Sequence, residues 1–310
     1  MINSRLSSSS AVAPKLVRNI DQKILIGTLG VNCLQYTRRC IETVVSRAKQ
    51  VDFLYIDNGS KPENVEQIKK WKKKNENIDG FFMAFNGCNA GVAVGWNQII
   101  RYGIANGYDK IIVCNNDIAF GLHTIDGLIE SFDRLRKEIP ETVMVTATNH
   151  TKNPADLKSI PKVWKYQEHP DFSCFMITPE FVERMGEICE DYKPAFFEDN
   201  DTHWRILMSG YKAFSSDFAP YSHIASRTRH ENPNIVTHEM FRKNKIKFCQ
   251  NMRALTVDQN VPVARYDEWL KRNPEVKHPK VEDVLEMVDR DLSSSFRATL
   301  AKLTVENVPI

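Results

Sequence analysis

Residues 91 to 117 read GVAVGWNQIIRYGIANGYDKIIVCNND, and this stretch decides the fold class. Gly91 to Ala105 reads as a helix, and Asp109 to Cys114 as a buried strand. The strand then runs into two amides and a carboxylate, Asn115, Asn116 and Asp117. Taken alone, these residues suit either of two roles. They can cap the next segment, or supply oxygen ligands to Mg2+ or Mn2+.

The same helix-to-strand rhythm extends outward. KILIGTL (Lys23 to Leu29), VDFLYID (Val51 to Asp57), GFFMAF (Gly80 to Phe85) and TVMVTAT (Thr142 to Thr148) read as strands. Leu34 to Ala48, Pro62 to Lys74 and Gly121 to Lys137 read as helices. Such alternation predicts an α/β domain with a mostly parallel sheet flanked by helices. Ligands on these sheets bind at the carboxyl ends of the strands, where Asp57 and Asp117 lie. From Asn149 the rhythm changes. A loop region with a short strand near Lys162 to Gln167 precedes a strand-to-helix unit, Ser173 to Gly186. FFEDNDTHWRILMSGYKAF then reads as loop, helix, a C-cap at Gly210 and a short strand. The expected organisation is a flexible tail over 1–20, a domain over 21–230 and a helical C-terminal extension over 231–310.

Bulk composition is ordinary for a globular chain: 310 residues, 42% hydrophobic, 26% charged, formal charge +3. So small a charge does not demand a nucleic-acid partner. Seven cysteines occur without a CxxC pair, which favours a reducing, cytoplasmic setting without disulfides or a zinc site. No run approaches the length of a membrane span, and the Ser-rich N-terminus lacks the apolar core of a signal peptide.

Several polar residues could carry chemistry, and each has a bland alternative. Asp57, before Asn-Gly-Ser, suits an Asx-turn or a hydrogen bond to a nucleotide. NAGVAVGWN (Asn89 to Asn97) opens a helix whose Gly91 and Gly95 admit either a ligand or neighbouring backbone. Glu198, Asp199 and Asp201 suit a helix start or, for one of them, a general base. His223 sits between apolar neighbours and would matter if it met Asp117 at a metal. The basic runs KKWKKK (Lys69 to Lys74) and RKNKIKF (Arg242 to Phe248) read first as solvated faces.

The order of these pieces is more specific than any one of them. Strand-Asp57, Asn89-x-Gly91, strand-NND, Ser173-Cys174, Glu198-Asp199 and His223 together resemble family 2 glycosyltransferases with the GT-A fold. The resemblance covers about residues 22 to 230. It implies a GT-A-type Rossmann-like sheet and a nucleoside-diphosphate sugar as donor. It implies nucleotide-sugar contacts from Asp57, Asn89 and Gly91, and more loosely from Thr28, Asn115 and Asn116. It implies Asp117 as the metal-bound aspartate, completed by His223, with Mn2+ or Mg2+. Asp199 matches the catalytic base, with Glu198 beside it. Asn115 departs from the family's Asp-x-Asp pattern, and GTLGVN departs from its usual first strand end. The expected reaction is metal-dependent sugar transfer to an acceptor hydroxyl, with inversion.

Two rivals frame this reading. A nucleotidyltransferase would want a Gly- and Lys/Arg-rich loop after the first strand, and TLGVNCLQYTRR is spaced poorly for one. A noncatalytic nucleotide-sugar binder fits the neutral Asn115. The acceptor is left open among a glycan, a lipid-linked precursor, a small molecule, a protein and a hydroxylated base in DNA.

Overall fold

A computed structural model of the chain describes residues 22–45, 51–74, 80–149, 166–167, 170–223 and 237–256. The expected tail over 1–20 and most of the C-terminal extension lie outside these residues.

The first half alternates as its burial pattern requires. Strand β1 (Ile24–Gly30) is followed by α1 (Leu34–Val45), β2 (Asp52–Asp57), α2 (Pro62–Lys74) and β3 (Phe81–Phe85). Then come α3 (Val92–Ala105), β4 (Lys110–Asn115), β5 (Ile118–Phe120), α4 (Thr124–Glu138) and β6 (Thr142–Asn149). The second half holds β7 (Tyr166–Gln167), β8 (Cys174–Ile177), α5 (Pro179–Met185), α6 (Glu198–Met208), β9 (Lys212–His223) and α7 (His238–Thr256).

The described strands form one sheet in the order β3-β2-β1-β4-β8-β6-β9-β5, with β7 on β9. β1 pairs in parallel with β2 and β4, and β2 with β3. β8 is antiparallel to both β4 and β6. β9 runs parallel to β6. The sheet is therefore mixed and mainly parallel, as the alternation predicts. Ile26, Ile112 and Val145 from the central strands are fully buried on one face, as are Leu25, Ile111 and Val113 on the other. Burial on both faces is why these strands read as continuous apolar runs.

Two elements differ from the sequence reading. β5 begins one residue after Asp117, where no strand is expected. β9 is twelve residues long, where only a short strand is expected. Its outer end pairs antiparallel with β5, in the register Ile118↔His223. A three-residue strand has no periodic signature, so this pairing is invisible in the sequence.

Candidate active site

The carboxyl ends of β1, β2 and β4 open onto a cavity of about 300 Å³. Asn89, Asn115, Asn116, Asp117, Glu198, Asp199 and His223 all line it. The fold thus collects seven of the ten expected site residues from four separate chain segments.

The β5–β9 pairing explains the Asp117–His223 contact. Asp117 lies two residues past the end of β4, and His223 stands in register with its neighbour Ile118. His223 Nε2 lies 3.0 Å from Asp117 Oδ1, across 106 residues of sequence. Both side chains are largely withdrawn from solvent, with 12% and 7% exposed. A carboxylate oxygen and an imidazole nitrogen at one cavity wall are donors suited to Mn2+ or Mg2+. Among the described residues no group of three His, Cys, Asp or Glu side chains could hold a metal. A two-donor site matches cations that keep waters and bind substrate phosphates.

Glu198 and Asp199 begin α6. Phe197, the residue before them, adopts a left-handed backbone (φ 77°) and offers no side-chain cap. The first-turn position suits acids because free N–H groups point at them. Asp199 Oδ1 accepts from Asn200 N at 2.8 Å. Burial raises the Asp199 carboxyl above its ordinary range, and backbone N–H donors, Asn200 first, partly offset it. Burial, and then the charge of Asp199, push Glu198 well above the usual carboxylate range. Glu198 is 5% exposed, and its Oε2 has no hydrogen-bond partner among the described residues. The pair thus combines a carboxyl that resists ionisation with a neighbour that ionises more readily.

The remaining expected residues have structural surroundings. Asp57 is buried: Oδ1 accepts from Gly59 N and Ser60 N, and Oδ2 from Tyr55 Oη. That is the Asx-turn arrangement. Thr28 is fully buried and donates to the Cys114 carbonyl at 2.9 Å. Neither is among the cavity-lining residues. At Gly91 (φ 99°) the close approach comes from protein, since an added Cβ would lie 3.2 Å from the Pro194 carbonyl oxygen. At Gly95 an added Cβ would overlap Leu29, so that glycine serves helix-to-sheet packing. Asp201 and Arg205 form a buried ion pair at 3.0 Å, and Arg205 also donates to the Met185 and Glu187 carbonyls. They hold α6 in place rather than line the cavity.

Asn58 escapes the sequence reading. Its Nδ2 donates to Asn89 Oδ1 at 3.0 Å, and its Oδ1 accepts from Ala90 N at 3.1 Å. It thereby ties the β2 end to the start of α3 while lining the cavity. Pro194, Ala195 and Phe196 form another wall. Nothing in their residue types signals a site.

Among the described residues Cys33, Cys40, Cys88, Cys114, Cys174 and Cys189 are unbridged. Among the described residues no helix is long and apolar enough to cross a membrane.

Comparison with known proteins agrees with this geometry. Residues 30–182 match the family model described as Glycosyl transferase family 2. A search of curated proteins finds no significant match. Among solved structures, the chain is similar to the mannosyltransferase PcManGT from Pyrobaculum calidifontis in complex with GDP-Man and Mn2+. Identity is 14% and TM-score 0.53, over 97% of this chain and 84% of that one. It is also similar to GalNAc-T7 crystallised with UDP, GalNAc and Mn2+. There the identity is 11% and the TM-score 0.56, over 93% of this chain but 58% of that one. At such identities the likeness carries the fold alone. The family match ends before Glu198, Asp199 and His223, which the tertiary structure then brings to the cavity. Residues 30–182 thus match glycosyl transferase family 2, and the mainly parallel sheet is folded as in the GT-A glycosyltransferases.

Proposed function

We propose that this protein is an inverting glycosyltransferase that moves a sugar from a nucleoside-diphosphate sugar to an acceptor hydroxyl. The observation that carries the proposal is one cavity lined by Asp117, His223, Glu198 and Asp199. Asp117 and His223 would hold Mn2+ or Mg2+, and a cation there offsets charge on the departing diphosphate. Asn58, Asn89, Asn115 and Asn116 supply polar groups that orient a donor. Asp199 accepts the proton of the acceptor hydroxyl as its oxygen attacks the anomeric carbon. Attack opposite the leaving group inverts the anomeric centre in a single displacement. Burial and the charge of Asp199, which raise the Glu198 carboxyl well above the usual range, disfavour a second negative charge beside that oxygen.

The proposal is tested by a thermal-shift screen of nucleotide sugars with and without Mn2+. A ligand that binds the native state raises its apparent stability by mass action. The expected result is a shift that needs both the metal and one class of donor. Release of nucleoside diphosphate should accompany it when an acceptor is supplied. A shift without release under any acceptor would support a noncatalytic binder. No shift with any donor would overturn the proposal.

The acidic pair also makes stability depend on pH. A carboxyl with a raised folded-state pKa contributes stability below its unfolded pKa. That contribution is lost as pH rises through the folded value. Glu198→Gln should therefore stabilise the fold at pH 8, by about 1–3 kcal/mol, and change it little at pH 4. Urea unfolding of both proteins at the two pH values checks this. Equal effects at both would overturn the raised pKa of the buried Glu198 carboxyl.

A further inference from the structure

Helix α7 carries Phe241, Asn244, Phe248 and Asn251 along one face, at helical spacing. That face packs on residues 192–197, the segment leading into Glu198 and Asp199. Phe241 meets the rings of Phe196 and Phe197 at 5.2 and 5.3 Å, and Phe248 stacks on Phe197 at 5.6 Å. Asn251 donates to Tyr192 Oη at 3.1 Å. Between the phenylalanines, Asn244 is 5% exposed. Its Nδ2 reaches the carbonyls of Ala195 at 2.9 Å, Lys193 at 3.2 Å and Phe196 at 3.4 Å. An amide nitrogen has two hydrogens, so the longest contact is a shared one.

The segment it holds is under strain. Phe196 and Phe197 both have left-handed backbones, φ 76° and 77°. L side chains rarely adopt that conformation, and it persists only where the surroundings over-determine it. On its other side the segment has the Val92 N–H, which donates to the Pro194 carbonyl at 2.7 Å. The wall of the cavity is thus gripped between the start of α3 and α7.

We infer that Asn244 is a positioning residue: by donating to the carbonyls of Lys193, Ala195 and Phe196 it fixes the strained loop that presents Glu198 and Asp199 to the cavity. The catalytic part of this inference rests on the proposed function, since it takes Asp199 as the base. Asn244 touches no lining carboxylate and acts only through the loop.

The test compares Asn244→Asp with Asn244→Ala. The Asp variant keeps the shape of the side chain, removes both donor hydrogens and sets a charge against carbonyl oxygens. In both variants kcat for transfer should fall about 10- to 100-fold, because small misplacements of catalytic groups cost this much. Donor KM should stay within about twofold, since Asp117, His223 and Asn89 are undisturbed. Lys243→Ala, on the outer face of the same helix, should match the wild type. Hydrogen exchange read by mass spectrometry supplies a measure independent of activity. Amides of 193–198 should exchange at least about tenfold faster in the Asp variant, while β1 and β4 stay protected. Should either variant fail to fold, native-state exchange of the wild type in rising urea decides. Residues 193–197 and 238–251 should then open together.

A wild-type kcat and unchanged loop exchange in Asn244→Asp would overturn the inference. So would independent opening of the loop and α7. A chain that transfers no sugar at all would instead count against the proposed function, and the exchange result would still judge the brace.

Discussion

Asp199→Asn is expected to lower kcat for sugar transfer by roughly 10²–10⁴-fold, the usual contribution of a positioned general base. The amide keeps the size of the carboxyl and can still accept from Asn200 N, so the start of α6 should survive. What it loses is the ability to take a proton. Donor binding should therefore persist, and the metal-dependent thermal shift should match that of the wild type. The pH dependence adds a second check. Burial raises the carboxyl above the ordinary aspartate range. Activity of the wild type should fall as pH drops through that raised value, and the limb should be absent from the residual rate of Asp199→Asn. A variant with wild-type kcat would transfer the role of base elsewhere, Glu198 being the nearest candidate.

Asp117→Ala is expected to abolish metal-dependent donor binding and to lower transfer on the order of 10³-fold or more, because metal stabilisation of a leaving group is worth several kcal/mol. Asp117 is the charged member of the two-donor wall, and its partner His223 is a single imidazole 3.0 Å away. His223→Ala should weaken Mn2+ dependence less, since the carboxylate remains. Manganese titrations of both variants, followed by thermal shift with donor present, separate the two contributions. An unchanged metal dependence in Asp117→Ala would place the cation elsewhere in the cavity.

These two predictions also mark how unevenly the site was legible. Asp117 was readable because a strand buried on both faces ends abruptly in polar residues, and strand ends are where such sheets bind ligands. Glu198 and Asp199 were readable as a pair of acids at a helix start, although helix capping alone would explain the same letters. Asp57 differs in its surroundings. Its turn residues were equally compatible with a ligand role, and the structure fills both of its oxygens with internal donors. Asn58, one residue later, holds the cavity position instead, and an Asn within Asp-Asn-Gly-Ser reads as ordinary turn chemistry.

The sequence by itself determined the alternation of strands and helices and the polar residues that stand at strand ends and helix starts. It could do so because burial imposes a local periodicity and strand ends are local events. Only the tertiary structure decided which distant residues meet. The three residues of β5 pair with the far end of β9 and bring His223 to Asp117, and the inner face of α7 grips the loop before Glu198. Such contacts depend on long-range pairing and packing that no local pattern encodes, and the left-handed backbone of Phe196 and Phe197 lies against that face of α7.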